Sequence, residues 1–211
     1  MPEFHENLFY NLPLTGRRNG RNGQIIAHAI VLDDNFTRDI LQKLSFNLSP
    51  ASRVTTSVKL PSGRRTVRPL AHLVYEHYHG PIPPGYEIDH RDLDPTNNVP
   101  GNLRLATRSQ NRANTPAHRD NKSGYKGVSL TGRGWFLASV GLNYCQFTLG
   151  IYTCKHEAAW TANLAAKILH GEFARANPIP PEYIPATQRQ EEIERYVTER
   201  LARHYPAASS A

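Results

Sequence analysis

The 211-residue chain has only two cysteines, Cys145 and Cys154. Two are too few for a disulfide framework or a four-cysteine zinc site, so covalent cross-links do not hold the fold. The chain also lacks an apolar run that spans a bilayer, and its first ten residues have neither the basic start nor the apolar stretch of a secretory signal. These absences exclude a membrane protein and predict a protein of the cytoplasm.

Acidic residues are the scarcer charges, because 18 Asp and Glu stand against 25 Lys and Arg and leave a net charge of +7. The surplus is +4 in residues 1–121 (15 basic, 11 acidic), +4 in residues 122–177 (6 and 2) and −1 in residues 178–211 (4 and 5). A positive surplus favours nucleic acid as partner, because neutralised phosphates release counterions whatever the base sequence. Since the surplus lies in the body of the chain, we expect no simple basic arm.

Hydrophobic patterning and turn residues divide the chain into successive units of an α+β fold. Residues 1–66 predict a mixed strand and helix unit, and a β-hairpin is predicted over Arg53–Arg68. Residues 67–116 predict a helix that begins at Pro69 and is closed by Gly80, an extended stretch at Tyr86–His90, a long loop, a second strand and a helix that opens at a T-x-x-Q capping box. A polar linker at 117–123 precedes three short strands and an alanine-rich helix in 124–177. A proline-rich spacer at 178–186 leads to an amphipathic helix at 187–205. We expect that helix to cover an apolar edge, with dimerisation as the alternative.

Four polar residues within 67–116 suit the hydrolysis of phosphodiester bonds: Asp89, His90, Asn102 and Asn111. A carboxylate oxygen of Asp89 and the amide oxygen of Asn111 are hard donors of the kind that Mg²⁺ prefers. His90 carries an imidazole, the side chain that most often serves as a general base, which suits it to accept a proton from water. The cluster therefore predicts metal-assisted hydrolysis.

A wider pattern surrounds these residues, in segments E-I-D-H at Glu87–His90, T-N-N at Thr96–Asn98, G-N-L-R-L-A-T at Gly101–Thr107 and S-Q-N at Ser109–Asn111. The stretch His72–Asn114 thereby resembles an HNH endonuclease of the phage and intron homing type. The resemblance implies a ββα-metal fold that holds one divalent ion, Mg²⁺ or Mn²⁺. It implies Asp89 and Asn111 as metal ligands, His90 as general base, and Asn102 as the residue that orients this base from the opposite strand. Asn111 replaces the His of the third motif position, a variant seen in the same family.

Arginines around this cluster are candidates for holding the backbone of the cleaved strand, or are solvated charges. They are Arg91, Arg104, Arg108 and Arg112.

A second pattern covers residues 124–177, with S-G-Y-K-G-V at Ser123–Val128, W-F-L-A-S-V at Trp135–Val140, L-G-I-Y-T at Leu149–Thr153 and H-G-E-F-A-R-A-N at His170–Asn177. It resembles an AP2 (ERF-type) DNA-binding domain, which implies a three-stranded antiparallel sheet in the major groove, backed by one helix. Matching positions give the candidate DNA contacts Lys126, Ser129, Thr131, Arg133, Trp135, Ser139, Gln146 and Thr148. Plant members carry several arginines and tryptophans on that face, whereas only Lys126 and Arg133 are charged here, so base preference does not transfer.

Taken together, these patterns predict a metal-dependent endonuclease of phage or mobile-element type that acts on double-stranded DNA and is positioned by the AP2-like domain. The alternative is a non-catalytic DNA-binding regulator with a decayed nuclease domain, against which the intact cluster argues. RNA is a more distant alternative substrate. The sequence leaves the oligomeric state open, with a monomer favoured.

Overall fold

The computed structural model describes residues 9–18, 21–49 and 53–204. The chain divides into two compact units, residues 1–107 and residues 108–211. Within these residues, several sheets and five α-helices confirm the predicted mixed α+β class. Of the described helices, none combines the length and the apolar character that crossing a membrane requires. Residues 1–8 of the predicted unit 1–66, and Tyr205 at the end of the predicted last helix, lie outside the described residues.

A five-stranded sheet with the order β2-β1-β3-β4-β5 forms the centre of the first unit. Neighbouring strands pair antiparallel except β1 and β3, which are parallel. The strands β4 and β5 form the hairpin that the sequence predicts, whereas β1 and β3 were not predicted. The strands are β1 (Phe9–Arg18), β2 (Arg21–Leu32), β3 (Phe46–Leu48), β4 (Val54–Lys59) and β5 (Arg65–Pro69).

Two helices accompany this sheet. The short helix α1 (Asn35–Asp39) begins at Asp34, whose carboxylate accepts a hydrogen bond from the Thr37 amide and caps the helix. The longer helix α2 (Leu70–His79) follows Pro69 and ends at Gly80, whose φ of 87° is left-handed and favours glycine. Helix α2 contributes buried residues to a core shared with the sheet, which contains Leu12, Leu14, Val31, Leu41, Phe46, Leu70 and Val74.

A separate two-stranded antiparallel ribbon holds the residues of the predicted nuclease motif. It consists of β6 (Tyr86–His90) and β7 (Leu103–Thr107), joined by the loop of residues 91–102. The register places His90 opposite Leu103 and Asp89 opposite Arg104. Helix α3 (Arg108–Asn114) follows β7 without a loop, which gives the strand-loop-strand-helix order that the sequence predicts.

Helix α3 belongs to the second compact unit, whereas the sequence grouped it with the strands before it in residues 67–116. Hydrogen bonds explain this difference. The amide of Asn143 donates to Ser109 Oγ at 3.2 Å, and the amide of Arg175 donates to the Ala113 carbonyl at 3.3 Å. Local patterning in the sequence does not report such bonds, because they join residues more than 30 positions apart.

Helix α4 (Lys155–His170) packs on an antiparallel sheet of order β10-β9-β8 in the second unit. Its strands are β8 (Val128–Leu130), β9 (Phe136–Leu142) and β10 (Cys145–Tyr152). Ala138 and Val140 of β9 are buried with Ala158, Ala162 and Ala165 of α4, and these small side chains allow close packing. Helix α5 (Thr187–His204) adds Ile193, Val197 and Leu201 to the same core.

Candidate functional site

A buried ion pair joins the two strands of the ribbon. Arg104 Nε on β7 donates to Asp89 Oδ2 on β6 at 2.8 Å, and the two side chains are only 8% and 3% exposed. A buried carboxylate requires a partner of opposite charge or strong hydrogen bonds, and Arg104 supplies both. The sequence allows Arg104 to be a phosphate contact or a solvated charge, whereas the structure buries it in a contact that fixes the position of the Asp89 carboxylate.

Asp92 organises the loop between β6 and β7. Its Oδ1 accepts from the amide of Asn102 (2.9 Å) and from the backbone N–H of Asp94 (2.9 Å), and its Oδ2 accepts from the amide of Asn97 (2.7 Å). Partial burial raises the pKa of the Asp92 carboxyl, but these three donors and the nearby His90 outweigh it, so this pKa lies below its usual value. The loop thus carries a fixed negative charge beside His90.

The side chain of Asn102 is engaged by this loop. Its Nδ2 donates to Asp92 Oδ1 and to the Asn97 carbonyl (2.8 Å), and its Oδ1 accepts from the Asp92 amide (3.2 Å). Among the described residues, the side chain of Asn102 bonds to no others. Asn102 therefore acts on the shape of the loop, through which any effect on His90 passes.

Asn98 is the residue that contacts the ring of His90. The Nε2 atom of His90 lies 3.3 Å from Oδ1 of Asn98, whose side chain is only 1% exposed. The Nδ2 group of Asn98 donates to the carbonyls of Pro95 and Thr96, both at 3.1 Å, which fixes the amide with its oxygen toward His90. Because that oxygen only accepts, the proton of a neutral ring lies on Nε2 and the basic lone pair on Nδ1. Residue-type reasoning missed Asn98, although it stands in the quoted T-N-N segment.

The proposed ligands fit a hard cation by their donor chemistry. Asp89 offers carboxylate oxygens, and the half-buried Asn111 on α3 offers an amide oxygen. Within residues 9–18, 21–49 and 53–204, no group of three or more His, Cys, Asp or Glu gathers as a metal site. A closed site of histidines and cysteines is therefore not what these residues favour, whereas a cation that retains water and phosphate oxygens matches the donors.

The stretch of chain that holds this site also matches known proteins. Residues 69–113 match the HNH endonuclease family, and they include Asp89, His90, Asn102 and Asn111. Over 109 residues the chain is 37% identical to Protein 3.8 of Escherichia phage T7, covering 51% of this chain and 89% of that protein. This chain belongs to the family of Protein 3.8 and carries an HNH endonuclease domain. The predicted HNH resemblance is thereby confirmed at the level of the family.

A second relative of the HNH domain protein is an uncharacterized HNH endonuclease of Acanthamoeba polyphaga mimivirus. It is 37% identical over 100 residues, which cover 47% of this chain and 51% of that relative. The chain thus spans about half the length of this relative.

Outside the HNH domain, the predicted DNA contacts of the second unit differ in exposure. Ser139 is buried and its Oγ accepts from Gln146 Nε2 at 2.9 Å. Thr131 is half-buried and its Oγ1 accepts from the backbone N–H of Trp135 at 3.2 Å. The side chains that remain exposed are those of Ser129, Arg133, Trp135, Gln146 and Thr148.

Lys126, another predicted DNA contact, bonds to the end of α3. Its ammonium lies 2.6, 2.7 and 2.8 Å from the carbonyls of Arg112, Ala113 and Thr115, at and just beyond the end of the helix. Burial and the nearby guanidiniums of Arg175 and Arg112 lower the pKa of Lys126 to about 8. The three donors of the ammonium are thus engaged within the protein, and Lys126 anchors the carboxyl end of α3.

Proposed function

We propose that this protein is a metal-dependent endonuclease that hydrolyses phosphodiester bonds of double-stranded DNA. The observation that carries the proposal is a half-buried histidine, His90, which Asn98 holds in one tautomer and which lies on the same strand as the buried carboxylate of Asp89. This arrangement lies inside a domain of the HNH endonuclease family, for which DNA is the implied substrate. The similarity to an endonuclease of mimivirus agrees with it.

His90 acts as the general base in this proposal. Its Nδ1 accepts a proton from the water that attacks the phosphorus, while Nε2–H remains bonded to Asn98 Oδ1. The nearby Asp92 carboxylate stabilises the imidazolium that results, because opposite charges at short range attract. Asn102 holds the loop that carries both Asp92 and Asn98.

Asp89 and Asn111 are the proposed ligands of one divalent cation, Mg²⁺ or Mn²⁺. When bound, such a cation stabilises the charge that develops on the phosphate and on the departing 3′ oxygen. Arg104 keeps the Asp89 carboxylate in one orientation through the buried ion pair. Arg91, Arg108 and Arg112 are exposed cations that we propose as contacts to the backbone of the cleaved strand.

Residues 124–177 position the enzyme on DNA as an AP2-like domain of a phage or mobile-element endonuclease of homing type. Support comes from the three-stranded sheet backed by the alanine-rich helix α4, and from the exposed Arg133, Trp135, Gln146 and Thr148 on it. Because few of these residues are charged, the sheet alone contributes a shallow salt dependence, and tight binding needs contacts from the HNH domain as well.

A supercoiled plasmid tests the proposed activity. The purified chain with Mg²⁺ or Mn²⁺ nicks or linearises the plasmid, and EDTA stops the reaction. We expect His90→Ala to lower the cleavage rate by about 10²- to 10⁴-fold while duplex affinity stays unchanged. A non-catalytic regulator binds DNA but leaves the plasmid supercoiled with or without metal. Competition by duplex RNA against duplex DNA distinguishes the two nucleic acids.

A further inference from the structure

A cavity of about 400 Å³ opens within the second unit, lined in part by α3 residues of the matched stretch 69–113 and in part by residues beyond it. Helix α3, the turn between β9 and β10, helix α4 and the segment around Arg175 form its walls. Its size falls within the range of sites that bind small molecules or molecular groups.

The lining of this cavity carries charge of one sign. Arg108, Arg112, Lys126 and Arg175 line it, and among the described residues that do so there is no aspartate or glutamate. Arg108 and Arg112 stand four positions apart on α3, where two like charges are unfavourable for the helix itself. Such an arrangement is unfavourable in an empty cavity and favourable around an anion.

The three arginines are available to a ligand. Their side chains are exposed, and within the part of the chain that the structure describes none of them forms an ion pair with a carboxylate. The Arg108 guanidinium lies 5.9 Å from the centre of the Tyr144 ring, which leaves its N–H groups for an acceptor. Lys126 differs, because its ammonium is bonded to the carbonyls at the end of α3. Lys126 therefore adds charge and rigidity, and the arginines supply the donors.

A buried histidine in the same lining has an acceptor atom without a partner in the described part of the chain. His170 is only 7% exposed, and its Nε2 lies 2.9 Å from the Gly141 carbonyl, so Nε2 carries a proton and donates it. Its Nδ1 is buried and has no hydrogen-bond partner among the described residues. Buried polar atoms are nearly always paired, and this nitrogen only accepts, so it requires an N–H or O–H donor in the cavity and does not itself bind a phosphate oxygen.

A polar network makes the cavity a fixed structure. Asn177 Oδ1 accepts from the Lys126 amide at 2.7 Å, and Asn177 Nδ2 donates to the Lys126 carbonyl at 2.9 Å. Asn163 on α4 accepts from the Asn177 amide at 2.7 Å. Hydrogen bonds thus connect Lys126, which contacts the end of α3, through Asn177 to Asn163 on α4, and all three residues line the cavity.

We propose that this cavity binds a backbone phosphate of the DNA, with the guanidiniums of Arg108, Arg112 and Arg175 as its donors. Guanidinium groups match the oxygens of a phosphate in charge and geometry. The exposed Gln146 of the sheet, a proposed DNA contact, also lines the cavity, and the proposed metal ligand Asn111 shares α3 with two of the arginines. His170 and Arg175 lie outside the matched residues 69–113, so the family comparison assigns them no role.

This inference rests on the proposed function, and the salt dependence of binding tests it separately. The full chain is titrated with a fluorescent duplex in EDTA at several salt concentrations, as parent, as Arg175→Gln and as Arg119→Gln. Arg119 belongs to the same unit, but its side chain is 91% exposed and does not line the cavity. Its replacement by glutamine removes one positive charge, as Arg175→Gln does. We expect Arg175→Gln to lower affinity by about tenfold and the slope of log K against log salt by about one, with Arg119→Gln close to the parent.

Three results overturn the inference. If Arg175→Gln matches Arg119→Gln while the parent binds and cuts DNA, the cavity takes no phosphate although the proposed function stands. If the parent neither binds nor cuts DNA, the proposed function fails and the inference fails with it. If a free mononucleotide or inorganic phosphate displaces the duplex at micromolar concentration, the occupant is a small anion and not a DNA strand. Arg112→Gln repeats the test should Arg175→Gln fail to fold, as tryptophan fluorescence of this unit reports.

Discussion

The Nε2 atom of His90 and the Oδ1 atom of Asn98 lie 3.3 Å apart, and Asn98 is almost fully buried. The side-chain nitrogen Nδ2 of Asn98 donates to the carbonyls of Pro95 and Thr96. A flip of the side-chain amide, which would turn Nδ2 toward His90 in place of Oδ1, would break both of these hydrogen bonds. The contact therefore selects the tautomer of a neutral His90 in which Nε2 carries the proton and Nδ1 the lone pair.

Asn98→Ala removes this restraint. We expect the single-turnover cleavage rate to fall about 10- to 100-fold with duplex affinity unchanged, because the ring loses its fixed tautomer and orientation while the DNA contacts remain. Asn35→Ala, which changes an exposed asparagine of the same unit, leaves the rate at the parent level.

A double-mutant cycle shows whether Asn98 acts through His90. In the His90→Ala background, Asn98→Ala should have almost no further effect on the rate. If the two losses instead multiply, Asn98 contributes to cleavage by another route and the assigned relationship is wrong.

The ion pair of Asp89 and Arg104 makes a prediction about stability. Arg104→Met leaves the Asp89 carboxylate buried without its cation, so we expect the free energy of unfolding of the first unit to fall by about 3–5 kcal/mol. Hydrogen exchange of the backbone amides of β6 and β7, followed at several urea concentrations, measures the free energy of unfolding of this unit. Arg65→Met, at an exposed arginine of β5, serves as the control for the loss of charge.

The double variant Asp89→Asn with Arg104→Met should recover part of that loss, because it removes both charges. An Arg104→Met protein as stable as the parent contradicts the ion pair. If stability is retained while the salt slope of DNA binding falls, Arg104 instead contacts phosphate as the sequence predicts.

Much of this fold follows from local patterns in the sequence. The strand β6 has the predicted bounds Tyr86–His90, and α2 ends before the predicted Gly80 and begins one residue after the predicted Pro69. The strand β1 was not predicted. Pro13 and Gly16 interrupt the apolar pattern of Phe9–Arg18, and its parallel pairing with β3 involves residues more than 30 positions away.

The candidate site, like the fold, is predicted only in part by the sequence. Residue type and motif identify Asp89 and His90, because their chemistry is visible in the sequence. The partners Arg104 and Asn98 depend on the strand register and on burial, which set distances between side chains that local sequence does not encode. Lys126 illustrates the converse, because its charge suggested a DNA contact and the structure shows its ammonium on the carbonyls that end α3.

The second glycine of the S-G-Y-K-G-V segment, Gly127, occupies a position where a larger residue should destabilise the fold. Gly127 has a φ of +75°, and a Cβ added there would lie 2.6 Å from the Ser139 carbonyl oxygen. Gly127→Ala should therefore destabilise the second unit by at least ~1–3 kcal/mol through backbone strain, with the clash adding to it. The tryptophans Trp135 and Trp160 both belong to this unit, so their fluorescence in urea reports its unfolding.

Gly132→Ala is the matched control for this substitution. An added Cβ at Gly132 meets no atom within 4 Å and the residue is not left-handed, so stability should change by less than about 0.5 kcal/mol. Equal urea midpoints for the two variants would show that the close approach at Gly127 does not exist.

The buried His170 predicts how the second unit responds to acid. Burial lowers the pKa of His170, the Gly141 carbonyl opposes this shift, and the charge of Lys126 adds to it. The unfolded chain therefore binds a proton near pH 6.5 that the folded unit does not yet accept, so stability is unaffected above that pH and declines as the pH falls below it.

Urea unfolding followed by tryptophan fluorescence should give a lower midpoint at pH 5.5 than at pH 7.5. His170→Gln retains a donor for the Gly141 carbonyl but does not titrate, so its midpoint should fall less between the two pH values. If the parent and His170→Gln lose the same stability, protonation elsewhere in the unit causes the decline.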